Sequence, residues 1–326
     1  MSRRSYIFIL SLTFLLICFS SFAQAAEYKI RFASDMAPTH PVGIASKCFK
    51  AAVEEYTKGR VEVSIYLSSA LGKEVELLES VRTGSIETAT AGIALMASVV
   101  PELDIFGLPF VFRDYEHLWK VLQNPPFRAL LISAIQKRGY YPFGFTTGGP
   151  RAIFMKKPIN SINDLKGTSI RVYEIPGIIE AIKAIGARPV VIPFAEVYMS
   201  LQSGLADGGE TSVPAYMASK FYEVCKHVAR LNYMDNGRVY YMNSKYWEAL
   251  PPDIKKSIEK AGRLFERLVQ AGYEQQEWLA NETLQKLGVK IYNPPIEPFI
   301  EAMQPVYAKL PPTIGKEWIK KIQAIE

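Results

Sequence analysis

The 326-residue sequence is 49% hydrophobic and 21% charged. That is ample apolar material for a sizeable core, and the composition lies far from that of disordered chains. The net charge of +6 is spread along the chain rather than gathered into a basic block, which argues against nucleic acid as a partner.

At the start, Arg3 and Arg4, an apolar run from Tyr6 to Phe19 and the small-residue stretch Ala23-Gln24-Ala25 have the order of a secretory signal peptide. The run is too short to span a bilayer comfortably. Cleavage is expected after Ala25 or Ala26, making residues 1–25 a leader and leaving an exported chain with no other transmembrane candidate. A lipoprotein reading through Cys18 is opposed by bulky Ile17, where a small residue belongs. The leader carries two arginines and no acids, so the mature chain stays basic, a balance consistent with an exported binder of small anions and equally with many other proteins.

Next, YKIRFAS reads as a strand, PVGIASKCFKAAVEEYTKG as a helix closed by Gly59, VEVSIYLSS as a strand, KEVELLESVRTG as a helix and IETATAGI as a strand. This is an α/β pattern with crossover helices. It returns as RAIFMK, IRVY, the helix PGIIEAIKAIG, the strand ARPVVIP, the helix FAEVYMSLQSG and the strand ADGGET. Two segments match closely, ELLESVRTGSIE at 76–87 and EVYMSLQSGLAD at 196–207, which lie 120 residues apart. Each reads as a helix stopped by glycine, Gly84 or Gly204, with a strand following at once. Two similar α/β lobes are therefore expected.

Within LKGTSIRVYEIPG, at 165–177, alternation puts Thr168, Ile170 and Val172 on one face and Ser169, Arg171 and Tyr173 on the other. From these residues alone Arg171 is either a solvent-facing strand residue or part of a site. Further on, GRVYYMNS at 237–244 reads as another strand. After Pro251-Pro252 a helical pattern runs from Asp253 to Leu287, with Ile254, Ile258, Ala261, Phe265, Leu268, Gly272 and Leu279 at near-helical period. It would be roughly 50 Å long, enough to brace both lobes.

Catalytic constellations are missing from the sequence. His40, His117 and His227 are scattered, and no HExxH, GxSxG, Walker loop or GxGxxG occurs. Gly148-Gly149 lacks the helix and Lys-Ser/Thr of a phosphate cradle and reads as a crossover hinge. Cys48 and Cys225 belong to no CxxC or Cys/His cluster. Both fall in amphipathic helical patterns and are expected as buried free thiols, although an oxidising compartment would permit one disulfide.

The segments RFASDMAPTHPVG, SSALGKEVELLESVRTGSIE, FGLPFVFRDYEH, INDLKGTSIRV, PFAEVYMSLQSGLADGGE and SKFYEVCKH, in this order, span nearly all of the mature sequence. With them the chain resembles the solute-binding subunits of tripartite ATP-independent periplasmic (TRAP) transporters, the dicarboxylate-binding-protein-like (DctP) family. The resemblance implies an α/β, two-lobed periplasmic solute-binding-protein fold with crossover strands and a long bracing helix. Lobe I is expected over 26–148 plus 237–277 and lobe II over 149–236 plus 278–326, with the ligand in the cleft between them. It also implies periplasmic location, a small organic acid anion as ligand, and as partners the small and large permease components in the membrane. No enzyme activity, cofactor or metal is expected.

The family's carboxylate-pairing arginine maps to Arg171, whose planar fork suits a carboxylate better than lysine would. Arg151, in GGPRAIF, matches a second family arginine; a salt bridge at the hinge is its other reading. Phe194 corresponds to an aromatic that packs over the ligand, against core packing as the alternative. Thr211 departs from the family pattern, in which asparagine stands within a DGQEN-like run. A hydroxyl offers less than an amide there, so a relative's ligand does not transfer directly. Asp35, His40, Gly92, Asn236 and Arg238 are further cleft candidates, and Gly92 leaves space for a bulkier or more apolar acid. The resemblance implies capture against Arg171 and Arg151 on lobe II, then closure of lobe I as a population shift. A ligand-reporting partner of a membrane sensor would share these residues, and an exported enzyme would need a nucleophile or metal site that the sequence does not display.

Overall fold

The computed structural model describes residues 25–308 and 316–325, so the expected leader lies, apart from Ala25, outside the described residues. The first half-repeat runs β1 (Tyr28–Ala33), α1 (Pro41–Tyr56), β2 (Val61–Tyr66), α2 (Glu74–Thr83), β3 (Thr88–Gly92) and the short α3 (Ile93–Met96). A 3-10 stretch (Pro101–Gly107), α4 (Tyr115–Gln123), α5 (Pro125–Gln136) and β4 (Tyr140–Thr146) follow. The second sheet takes β5 (Arg151–Met155), β6 (Ser169–Val172), β7 (Arg188–Val191), β8 (Gly208–Ser212) and β9 (His227–Ala229), with α6 (Pro176–Ala184), α7 (Val197–Ser203) and α8 (Val213–Ala218) between strands. The chain then makes β10 (Arg238–Asn243), α9 (Ser244–Ala249), α10 (Pro252–Lys286), β11 (Lys290–Tyr292), α11 (Glu297–Ala308) and α12 (Lys316–Gln323).

One sheet has the order β2-β1-β3-β10-β4 and the other β11-β9-β5-β8-β6-β7. The repeat read from sequence is visible in their halves. β1 is parallel to β2 and β3, as β6 is to β7 and β8. Both α2 and α7 end on a left-handed glycine, Gly84 at φ 84° and Gly204 at φ 82°. Neither position suits a side chain bearing a Cβ, and the turn sends the chain directly into β3 or β8.

Among the described residues three continuous segments carry the chain between the sheets. It leaves the first after β4 through Thr147–Pro150, with Gly149 at φ +83°, so Gly148-Gly149 does lie at a crossover. It returns from β9 to β10, which inserts antiparallel between β3 and β4. The third passage is α10, which packs on α1 and β4 and, toward its C-terminal end, on α8 and β11. Its buried stripe is Ile254, Ile258, Ala261, Phe265, Val269, Tyr273, Ala280 and Leu284. The first four positions are those expected. Beyond them the expectation slips by one residue, because Leu268 is exposed and Gly272 and Leu279 are only half-buried.

Phe265 sits against Phe32 and Tyr240 at ring distances of 5.6 and 4.6 Å, closing the core over the first sheet. Phe154, Tyr216 and Phe221 do the same over the second. A further buried cluster, including Phe106, Leu118, Ile178 and Phe299, is continuous from one sheet to the other.

The expectation of two buried thiols is half corrected. Cys225 is buried, but it follows a 3-10 turn (Phe221–Glu223) rather than lying in a helix. Cys48 is exposed, because α1 turns Ala45, Phe49, Ala52 and Val53 inward and leaves position 48 outside. No helix among the described residues is long and apolar enough to cross a membrane.

Candidate functional site

The ends of β3 and β8 face one another across the space between the sheets, and the crossover strands begin beside them. Arg238, the first residue of β10, pairs in register with Gly92 at the end of β3. Arg151, the first residue of β5, pairs with Ser212 at the end of β8. The repeat thus places an arginine at each of two equivalent corners.

Each corner arginine is matched by acid. Arg238 donates to Asp35 Oδ1 at 2.9 Å, Glu74 Oε1 at 3.2 Å and Thr90 Oγ1 at 3.1 Å. Glu74 Oε1 also accepts the Gly92 N–H at 2.6 Å. Burial, reinforced by the nearby Asp35 charge, pushes Glu74 up to about 7, and burial raises Asp35 as well. Two carboxylates share one guanidinium, so the second negative charge is poorly compensated. Arg151 donates to Glu210 Oε2 at 2.5 Å, to the Glu210 carbonyl at 3.2 Å and to Asn236 Oδ1 at 3.4 Å. Burial opposes the Arg151 charge, but Glu210 more than offsets it. The salt-bridge reading of Arg151 is therefore the one realised among its protein contacts.

Arg171 is different. It extends from β6, is 1% exposed, and uses Nε on the Ile192 carbonyl at 2.8 Å. Its Nη2 is buried with no hydrogen-bond partner among the described residues, and no carboxylate lies within ion-pair distance among them. Burial lowers its pKa, as expected of a charge held away from water without a counter-ion. The Arg171 guanidinium carbon stands 4.1 Å from the Tyr173 ring centre and 5.7 Å from that of Phe194, two rings stacked nearly parallel. Tyr173 also lies 5.3 Å from the Arg151 guanidinium, between the two cations.

An inner cavity of about 20 Å³ is lined by His40, Gly92, Arg151, Thr211, Asn236 and Arg238, together with Glu74, Tyr173 and Tyr273. Asp35 and Phe194 line an adjoining outer groove that shares Glu74, Leu95 and Tyr173 with it. Arg171 lines neither space directly and stands against Tyr173 and Phe194. The nine candidate residues are thus gathered in one region. His40 also has a structural task there: it caps α1 by accepting the Val42 N–H at 3.3 Å and lies 3.3 Å from the Tyr273 hydroxyl, with its pKa driven well down by burial. Phe194 is half-buried and also contacts Phe221, so packing and cleft lining are combined in one ring.

Sequence reasoning missed Glu74, Tyr173 and Glu210 as site residues. Tyr173 had a signal, since alternation put it on the Arg171 face. Glu210 stands inside a fully buried strand, a position where an acid requires a cation. At the crossings, Asp235 Oδ1 accepts the N–H groups of Gly148 at 2.7 Å and Gly237 at 2.9 Å, tying two of the three interlobe segments together. Among the described residues no group of three or more His, Cys, Asp or Glu is placed to hold a metal ion.

Residues 32–311 match the bacterial extracellular solute-binding protein family 7. The C4-dicarboxylate-binding periplasmic protein DctP of Rhodobacter capsulatus is 30% identical over 262 residues, covering 80% of this chain and 78% of that protein. A TRAP periplasmic solute-binding protein from Polaromonas sp. JS666, solved with D-erythronate bound, superposes with a TM-score of 0.88 at 28% identity, covering 92% of this chain and 99% of that one. Another, from Sulfurospirillum deleyianum with bound succinate, gives a TM-score of 0.87 at 29% identity, covering 92% of this chain and all of that one.

Proposed function

This chain belongs to the bacterial extracellular solute-binding protein family 7, and from that premise we propose that it captures a small organic acid anion between its lobes through Arg171. The family is one of transport proteins rather than enzymes, and it is a carboxylate-binding component of TRAP transport. In our reading it works in the periplasm after leader cleavage and hands its cargo to the small and large permease subunits. Of the expected lobes, 26–148 plus 237–277 and 149–236 plus 278–326, we keep all but the C-terminal end: α12 packs back on α4 and α5, with Trp318 against Phe127 and the Ile322 carbonyl 3.1 Å from His117 Nε2.

The observation that carries this reading is the unpartnered Nη2 of Arg171. A buried guanidinium without a counter-ion is unfavourable, and a carboxylate relieves it with charge-assisted bonds contributing roughly 1.5 to 3 kcal/mol each. Arg151 is already neutralised by Glu210, so its part is to orient the anion and to present Asn236. Thr211 adds one hydroxyl, and Phe194 holds the guanidinium plane. Arg238, with Asp35 and Glu74, sets the polarity of the facing wall, alongside His40 and Gly92.

A thermal-shift screen against mono- and dicarboxylates, sugar acids and neutral sugars tests this. A carboxylate at about a hundred times its dissociation constant should add roughly 2.7 kcal/mol, a shift of a few degrees. Arg171→Ala should abolish the shift. A response to neutral sugars alone, or an Arg171→Ala variant that responds like wild type, would refute the assignment.

A further inference from the structure

We infer that the cargo is a monocarboxylate with an apolar body, its carboxylate at Arg171 and its body in the outer groove; the inference rests on the reading above. Two spaces meet at Tyr173, and they differ in size and character. The inner cavity is walled by polar groups and has room for little more than a water molecule beyond its walls. It has no room for a chain of hydroxylated carbons.

The outer groove has a volume of about 390 Å³. Its walls are Val75 and Leu95 on the side of the first sheet, and Val191, Ile192, Pro193 and Phe194 on the side of the second. Val75 and Val191 are each 46% exposed, so apolar side chains on both walls face solvent in a groove whose Tyr173 and Phe194 rings stand against an unpaired buried cation. Exposed apolar surface gathered in a cleft is the mark of a binding surface. A sugar acid seated here would find partners for its hydroxyls only in Ser69 and the groove's acids, and would set the rest against aliphatic walls, which costs affinity.

Charge argues against a second carboxylate. Glu74, Glu76 and Glu174 line the groove, and its one lysine, Lys73, is engaged with Glu196 at 2.5 Å. An anionic outer end would meet acids there and no free cation.

Isothermal titration with phenylacetate, 4-methylpentanoate, succinate and D-glucuronate separates the outcomes. The two apolar monocarboxylates are expected to bind at least about tenfold more tightly than the other two, the gain from burying roughly two methylene-sized groups. Val191→Asp changes an exposed residue, so the fold should survive, and it should erase that preference; Leu95→Ala should narrow it. Tighter binding of succinate or D-glucuronate overturns this inference while leaving carboxylate capture intact, as does a preference untouched by Val191→Asp. Failure of every acid to bind overturns both readings.

Discussion

On the proposed reading, Arg171 is positioned before any anion arrives. Its Nε is fixed on the Ile192 carbonyl and its plane is held against Tyr173 and Phe194, so the remaining donors are presented with little freedom left to lose. The opposite wall holds the complementary arrangement, an excess of acid over cation. Glu74 has an ordinary value of 4.5 and stands at about 7 in the folded chain, first because it is buried and then because Asp35 is beside it. A carboxyl raised on folding binds its proton more tightly in the native state. Its contribution to stability is therefore present in full below pH 4.5 and is lost as pH rises through about 7. Urea denaturation at pH 5 and pH 7.5 should show wild type losing stability over that window, and Glu74→Gln should flatten the loss. An equal slope in the variant would mean that the proton resides elsewhere. At this scale the sequence was informative about Arg171 and Tyr173, whose shared face follows from strand alternation. It was silent about Glu74 with Arg238 and Glu210 with Arg151, because those pairs are brought together by topology across 164 and 59 residues.

Elements were more legible than pairs, because each carries its own start and stop chemistry. The 120-residue repeat was read from two glycine-stopped helices, and both stops prove to be left-handed caps followed by parallel strands in matching sheet positions. Nothing lies within 4 Å of where a Cβ on Gly204 would stand, and a Cβ on Gly84 would make only ordinary contact with Asn243. Substitution at either site is therefore penalised by backbone conformation alone. Gly84→Ala and Gly204→Ala should each cost about 1 kcal/mol in chemical denaturation, and the two losses should agree closely. A much larger loss at one site would show that the caps are not equivalent. The error in α10 begins at Leu268, where the expected stripe steps three residues on from Phe265 while the buried one steps four, to Val269. The helix still lies against α1 there, since Gly272 abuts Pro41, and α8 is met from Gln276 onward. Leu268 and Val269 are both apolar, so residue type alone does not choose between the two steps.

For the whole molecule the question is what holds the lobes together, and the links differ in kind. The crossings, α10 and the cluster containing Phe106, Ile178 and Phe299 join the lobes permanently at one side. At the mouth of the groove the contact is of another sort. Lys73, preceding α2, meets Glu196, preceding α7, at 2.5 Å, and both side chains are about half exposed. The two residues are near counterparts in the repeat, so the bridge ties the same end of each lobe's second helix. An exposed ion pair is weak and screened by salt, hence it biases closure without fixing it. Ligand binding then adds the main bias to the extent that the acid touches both walls. Glu196→Lys places two like charges at the mouth and should open the unliganded protein, read as a larger radius of gyration in small-angle scattering at low salt. It should also speed ligand release a few-fold. The exchanged pair, Lys73→Glu with Glu196→Lys, should restore both quantities, and added salt should shrink the difference between wild type and the single variant. If the single variant keeps the wild-type radius and release rate at low salt, the bridge plays no part in closure. The permanent contacts and the ligand alone would then set the balance.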